Sequence, residues 1–411
     1  MKIQEITSPG GIKGWLVEER KVPLLAFRFV FEGGGSEDPI GKEGVAELLA
    51  TLLDEGAGDL DAQKYQERME ELAMRMSFEA TDDAFYGTFQ SLTANRDASV
   101  EMLRLALAKP RLDAEAIERM RKQKLANLAY ALKNPSTIAG REWAMLAYPN
   151  HLYSRLVTEK SVAAITRDDI ETVRRKVFAR EKLVAVGDIS AKDFGLLLDK
   201  VFGELAVKAN ITPIPPITIP SGAKEKIVEF DVPQSVVMFG MAGIPRNDPD
   251  FIPAFVMNEI LGGGGFHTRL MEEVREKRGL AYGVSSYLQT LRASNSFGGR
   301  VATKNESVGQ SIDIIRAELK RMAEGPTEKE LADIKSYLIG SYPLRFDTNA
   351  KIANVLLGVL YDDLGIDYVD KRNKLIEAVT VADIKRVAAR LLKPENMITV
   401  IVGKPKLPGR G

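Results

Sequence analysis

TRDDIETVRRKVFAREKLVAVGDI, from Thr166 to Ile189, and TVADIKRVAARLLKPENMITVIVGKP, from Thr380 to Pro405, are two versions of one segment. Each opens on a Thr with an Asp three residues later, the side-chain pair that satisfies the free N–H groups at a helix start. An amphipathic helix follows, then a short break, then a β-branched strand closed by Gly187 or Gly403. The two copies start 214 positions apart (380 against 166), and the same offset places STIA (136–139) opposite AKIA (350–353) and the helix 117–128 opposite 331–342. Near the front of each half, SEDPIGKEGVAELLATLL lies beside RNDPDFIPAFVMNEILG at a slightly different offset. The chain therefore reads as a duplication.

Strand-like runs such as LLAFRFVFEGG and SVVMFGMAG alternate with long amphipathic helices in both halves, which predicts an α+β domain built twice. Between the halves, ANITPIPPITIPSGAKEK carries prolines at 213, 215, 216 and 220, the composition of an extended, exposed linker. The expected division is 1–208, a linker at 209–225, and 226–411. A chain of 411 residues exceeds what one core usually organises, so two domains also suit the length.

Composition excludes several chemistries. The 57 basic and 57 acidic residues cancel, which gives no net field for nucleic acid or an anionic membrane. Cysteine is absent, so disulfides, thiolate metal sites and a cysteine nucleophile are all ruled out. No apolar run approaches the length of a membrane span, and MKIQEITSPGG lacks the pattern of a secretory signal. Neither half shows a phosphate loop, a dinucleotide fingerprint or a G-x-S-x-G elbow.

The candidates that remain are few. In GVAELLATLLDEG (44–56), Val45, Leu48, Leu49 and Leu52 form one helical face while Glu47, Thr51 and Asp54 share another; oxygen donors alone suit magnesium or calcium, and a solvated face explains them as well. The two histidines, His151 and His267, each lie beside turn residues, where a hydrogen-bonding or surface role is the ordinary one. In LGGGGFHTRLMEEVREKRGLAYGVSSYLQ (261–289), residues 267–278 read as a helix, Gly279 as its left-handed terminator, and LAYGVSSYL as a returning strand. This puts Arg275 in the last turn and Tyr282 early on the strand. A guanidinium and a phenol meeting at that corner can hold a peptide carbonyl and the oxyanion it becomes, or they can serve the helix dipole and strand packing. The glycines Gly262, Gly263, Gly264 and Gly265 form a tight turn or permit close backbone approach to a ligand.

With these residues the chain resembles the pitrilysin and mitochondrial-processing-peptidase family of zinc peptidases, the inverzincins. The likeness covers nearly the whole chain: duplicated halves, a central linker and R-E-K-R-G-L-A-Y in the second half. It implies a LuxS/processing-peptidase-like α+β fold, two homologous domains each with a mostly antiparallel sheet packed with helices. In that family a first-half helix reads G-x-A-H-x-L-E-H, two zinc-binding histidines and a glutamate base. Aligned here, Glu47 stands at the first histidine, Ala50 at the glutamate and Thr51 at the second histidine. The family's third ligand is a glutamate some seventy-odd residues downstream, and the segment from Arg119 to Arg141 holds no acidic residue.

What the resemblance retains is the pair Arg275 and Tyr282, which in the family bind substrate opposite the zinc. The glycine run resembles, by position, the longer glycine-rich loop of the non-catalytic mitochondrial subunit. The implied function is a non-catalytic, substrate-binding subunit of a heterodimeric zinc metallopeptidase. Zinc is expected in an H-x-x-E-H partner and none in this chain, and the substrate is an unfolded peptide bound by strand addition. The family's exported bacterial members imply the periplasm. The alternatives are a structural or peptide-binding protein of the same fold with no role in hydrolysis, and a self-sufficient hydrolase with a metal on His151 or His267.

Overall fold

The computed structural model describes residues 1–180 and 182–407. It divides into two compact units, each built around one sheet. In the first unit the strands are β1 (Gln4–Thr7), β2 (Lys13–Glu18), β3 (Leu24–Glu32), β4 (Arg75–Ala80), β5 (Ala84–Leu92) and β6 (Lys182–Gly187), in the order β1-β2-β6-β3-β5-β4. The second unit has β7 (Lys224–Glu229), β8 (Gln234–Ala242), β9 (Ala281–Thr290), β10 (Asn295–Lys304) and β11 (Ile398–Gly403), in the order β7-β11-β8-β10-β9. Apart from the extra β1, the second order repeats the first strand for strand. In each sheet a single parallel pair, β2 with β6 or β7 with β11, interrupts otherwise antiparallel pairing. The expected duplicated α+β fold is the fold observed.

Alternation makes the sheets two-faced. On β3, Phe27, Phe29 and Phe31 point into a buried cluster with Phe202, at centroid distances of 5.6, 5.3 and 6.4 Å. Gly87 opposes Phe29 across the ladder, and a Cβ there would lie 2.0 Å from its ring, so only glycine leaves the ring its place. The two helices that defined the repeat, Arg167–Val177 and Val381–Leu391, both start with reciprocal capping boxes, Thr166 with Asp169 and Thr380 with Asp383.

The units do not follow the halves of the sequence throughout. Residues 129–156 belong to the second unit and 342–368 to the first. The Pro135–Ala147 helix packs on β8 and β11, with Trp143 against Gly240, where a Cβ would come within 2.6 Å of the indole. Its counterpart 214 positions on, the Asn349–Tyr361 helix, packs on β3 and β6, with Asn354 bonded to Arg28 and Lys182 Nζ 2.8 Å from Asp363. Each sheet thus has its second face covered by the other half's helix. Residues 209–223 form neither helix nor strand, residues 224 and 225 of the expected linker already belong to β7, and the boundary between units falls after Pro213. The segment is less exposed than its composition predicts. Ile211 packs on the first core and Ile214, Ile217 and Ile219 join the apolar cluster around Trp143, because a β-branched residue at every second or third position gives the strap an apolar side.

Candidate functional site

Two places bear the sequence's candidates, one in each unit. In the first, the helix is Val45–Ala50 and continues only as tight turns, with Thr51 N–H bonded to the Leu48 carbonyl and Leu52 N–H to that of Leu49. Its start is fixed by the buried Asp38 carboxylate, which accepts from the N–H groups of Gly44, Val45 and Ala46 at 2.6, 3.1 and 2.8 Å. Val45, Leu48, Leu49 and Leu52 are buried, as their spacing requires.

The polar positions are closed off from metal chemistry. Glu47 is bonded to Lys124, 77 positions away on the Ala114–Ala131 helix. Thr51 Oγ1 donates to the Leu48 carbonyl at 2.8 Å, and Ala50 has no donor atom. Zinc requires three or four convergent nitrogen, sulfur or carboxylate donors, and Glu47, Ala50 and Thr51 do not fit it. The Lys124 ammonium bonds the only carboxylate among the three. Nor do the histidines supply a site. His151 Nε2 donates to the Pro215 carbonyl at 2.9 Å, while its Nδ1 lies 3.3 Å from the Tyr153 N–H that it accepts. His267 ends a short turn, Gly265–His267. Among the described residues, no group of three His, Asp or Glu could hold a metal ion.

The second place is the corner between the glycine run and β9. The sequence predicts a helix over 267–278; instead the helix begins after the turn and widens into a π-helical stretch, Met271–Glu276, with Lys277 N–H bonded five residues back to the Glu272 carbonyl at 2.9 Å. A second π-helical stretch, Glu259–Gly263, precedes it, with Gly264 N–H on the Glu259 carbonyl at 3.1 Å. Such wide turns are rare and concentrate at functional sites. Gly279, at φ 61°, ends the helix as predicted, and its N–H bonds the Arg275 carbonyl at 2.8 Å.

Beyond that glycine the ladder slips. Ala281 pairs with Thr303 and Gly283 with Ala302, which leaves Tyr282 as the extra residue of a β-bulge on the edge strand. The bulge turns its side chain outward, and the residue is 84% exposed. Arg275 Cζ stands 5.2 Å from the centre of the Tyr282 ring, within cation–π range. The structure therefore brings Arg275 and Tyr282 together.

Electrostatics beneath the corner sort the charges of R-E-K-R. Glu273, almost fully buried, accepts from Lys277 Nζ at 2.7 Å and from Arg278 Nη1 at 2.6 Å, and those bonds hold its carboxyl below the usual carboxylate range. Arg269, 6% exposed, grips Glu330 with Nε and Nη2 at 2.6 and 2.8 Å. This bidentate bond outweighs burial and pulls the Glu330 carboxyl down to about 2. The glycine run is a packing requirement: a Cβ on Gly262 would meet Ser286 Oγ at 2.5 Å, one on Gly263 would meet Asn258 Nδ2 at 2.4 Å, and Gly265 sits at φ 82°.

Residues 164–338 match the family described as Peptidase M16 inactive domain. The non-peptidase homolog YmxG of Helicobacter pylori is 27% identical over 401 residues, 95% of this chain and 91% of that protein. A crystal structure of a peptidase M16 inactive domain from Pseudomonas fluorescens superposes with a TM-score of 0.92 at 29% identity, over the full length of both chains. The chain is similar to M16 peptidase-family proteins over nearly its whole length. A mitochondrial-processing peptidase subunit beta from Lentinula edodes is 20% identical over 385 residues, 88% of this chain and 81% of that protein. The match to an inactive domain and to a non-peptidase homologue makes this chain a non-catalytic M16-like protein.

Lys124 is the residue that sequence reading passed over. Its signal was present, since the segment where an acidic ligand was sought opens with four basic residues, Arg119, Arg121, Lys122 and Lys124. Nothing in a linear pattern shows which of its cations reaches Glu47.

Proposed function

We propose that this chain is the substrate-binding subunit of a heterodimeric zinc metallopeptidase, completing an active site whose metal is held by an H-x-x-E-H partner. The observation that carries the reading is the outward presentation of Tyr282 on a bulge with Arg275 5.2 Å from its ring. The partner's zinc supplies a polarised water when bound. This chain's part is positioning and charge. The Arg275 fork donates N–H bonds to a substrate carbonyl, and the Tyr282 hydroxyl donates to the same oxygen as negative charge develops on it. The edge position of β9 leaves a row of backbone groups for an extended peptide to pair with, so the substrate class is an unfolded peptide.

The test is cleavage of an unstructured peptide by the assembled pair carrying Arg275→Ala or Tyr282→Phe. The reading predicts a fall in kcat of ~10²-fold for Arg275→Ala, the usual effect of removing one oxyanion donor. A pair that cleaves at full rate with both substitutions would make this a structural or peptide-binding protein of the same fold.

A further inference from the structure

The register slip at the start of β9 changes which face each residue takes. Val284 and Ser286, both nearly fully buried, place the even-numbered residues of this strand on the core face. Unbroken alternation would put Tyr282 beside them. The slip between Ala302 and Thr303 lets Ala281 take the core face instead, at 9% exposure, and sends the tyrosine out. The position of the bulge therefore decides which of the two residues points outward.

One hydroxyl fixes that position. Thr303, on β10 opposite Ala281, is fully buried, two residues beyond the equally buried Val301. A buried strand position of that shape ordinarily suits valine, because a hydroxyl there has to find partners. Thr303 Oγ1 has two: it donates to the Leu280 carbonyl at 2.6 Å and accepts from Ser311 Oγ, on the Val308–Ala323 helix, at 3.3 Å. The Leu280 N–H in turn donates to the Val274 carbonyl at 2.9 Å, inside the second π-helical stretch. Leu280 is thus tied on both sides, by its N–H to the helix and by its carbonyl to β10. With Leu280 held, the chain has one residue more than the ladder can pair before Gly283, and Tyr282 is that residue.

We infer that Thr303 is a positioning residue: its bond to the Leu280 carbonyl holds the bulge that presents Tyr282 to substrate. The inference rests on the role proposed above for Arg275 and Tyr282, and adds a fully buried residue that acts through the tyrosine. Removing the hydroxyl leaves the Leu280 carbonyl without that donor, so the corner relaxes and the phenol shifts from its place beside Arg275. A displacement of about 1 Å at a group that contacts the reacting atoms is enough to slow chemistry.

The experiment has two arms. In the first, the chain alone carries 3-fluorotyrosine at its 11 tyrosines, and the fluorine resonance of Tyr282 is assigned by its absence from Tyr282→Phe. Thr303→Val, which keeps the shape and removes the hydroxyl, is expected to move that resonance by more than its linewidth. Thr303→Ser, which keeps the hydroxyl, should restore it. Ser311→Ala, which deletes an equally buried hydroxyl one bond further from Leu280, should leave it in place. In the second arm, the assembled peptidase carrying Thr303→Val is expected to lose about three- to tenfold in kcat at unchanged KM, and nothing beyond the Tyr282→Phe loss when the two substitutions are combined.

An unmoved Tyr282 resonance in Thr303→Val, an equal shift in Ser311→Ala, or kcat losses that multiply in the double variant would overturn the inference. Thr303→Ala repeats the test where the valine variant does not fold. If neither folds while Thr303→Ser does, the hydroxyl holds the fold as a whole and the positioning role is overturned. The first arm needs no partner, so it decides the inference even where Tyr282→Phe leaves the assembled pair at full rate, the outcome that would instead fail the substrate-binding reading.

Discussion

The Val45–Ala50 helix and the Arg275–Tyr282 corner treat polar side chains in opposite ways. At the helix Glu47 and Thr51 are both engaged within the unit, Glu47 by Lys124 and Thr51 by its own backbone. Regular geometry suffices there, and the result is a structural contact between two helices. At the corner two π-helical stretches, a left-handed glycine and a bulge depart from regular geometry, and the outcome is a phenol turned into solvent beside a guanidinium. Irregularities of this kind cost stability and persist where surrounding contacts hold them. Here the Glu273 and Glu330 networks do so. The contrast teaches that one chain can engage its polar groups on a regular helix and present a pair at an irregular corner, and that the second is the place to test for function.

The comparison breaks most readily at the corner. Arg275→Ala in the assembled peptidase is expected to lower kcat ~10²-fold or more, and Arg275→Lys, which keeps the charge but loses the fork, to recover only part of it. Glu47→Ala, by contrast, should leave kcat within about twofold, since exposed ion pairs contribute little; steady-state kinetics on the three variants reads both regions at once.

The supports come next. Arg269→Ala leaves Glu330 without its fork in a half-buried place and is expected to destabilise the protein by ~3 kcal/mol, read by urea unfolding. The same pair fixes a pH dependence. Glu330's carboxyl is lowered from 4.5 to about 2 by Arg269, so its stabilisation is fully present above about pH 4.5 and is lost as pH falls from there through about 2. The Arg269→Ala variant should therefore lose less stability than the parent between about pH 5 and about pH 3.

Glycines separate the regions further. Gly262→Ala drives a methyl against Ser286 and should cost ~1–3 kcal/mol. Gly358→Ala, on the exposed side of the Asn349–Tyr361 helix with open space around it, should stabilise by ~0.5–1 kcal/mol. The smallest effect is expected at the helix pair: a double-mutant cycle on Glu47 and Lys124 should give a coupling of ~0.5 kcal/mol, because Glu47 is half exposed.

Much of this was legible in the sequence. The capping boxes at Thr166 and Thr380 and the β-branched strands after them located both copies of the repeat, because caps and alternation act locally. Gly279 and the strand after it located the corner for the same reason, whereas the weight on Arg275 and Tyr282 there came from the family resemblance. What escaped depends on partners distant in the chain. The bulge at Tyr282 is a property of its register with β10, and alternation within β9 alone predicts a packed tyrosine instead. The π-helical stretches follow from how the glycine run packs against Ser286 and Asn258, which helical periodicity does not encode. The reciprocal placement of the Pro135–Ala147 and Asn349–Tyr361 helices is equally silent, since each has an apolar face that either sheet could cover.

The central claim is that this chain completes a site it does not own. The most direct measurement is cleavage of a fluorogenic unstructured peptide by this chain alone, by its H-x-x-E-H sister alone, and by their equimolar mixture. The account predicts activity in the mixture only, reduced when this chain carries Arg275→Ala. A sister as active alone as in the mixture, or cleavage by this chain alone, would contradict it.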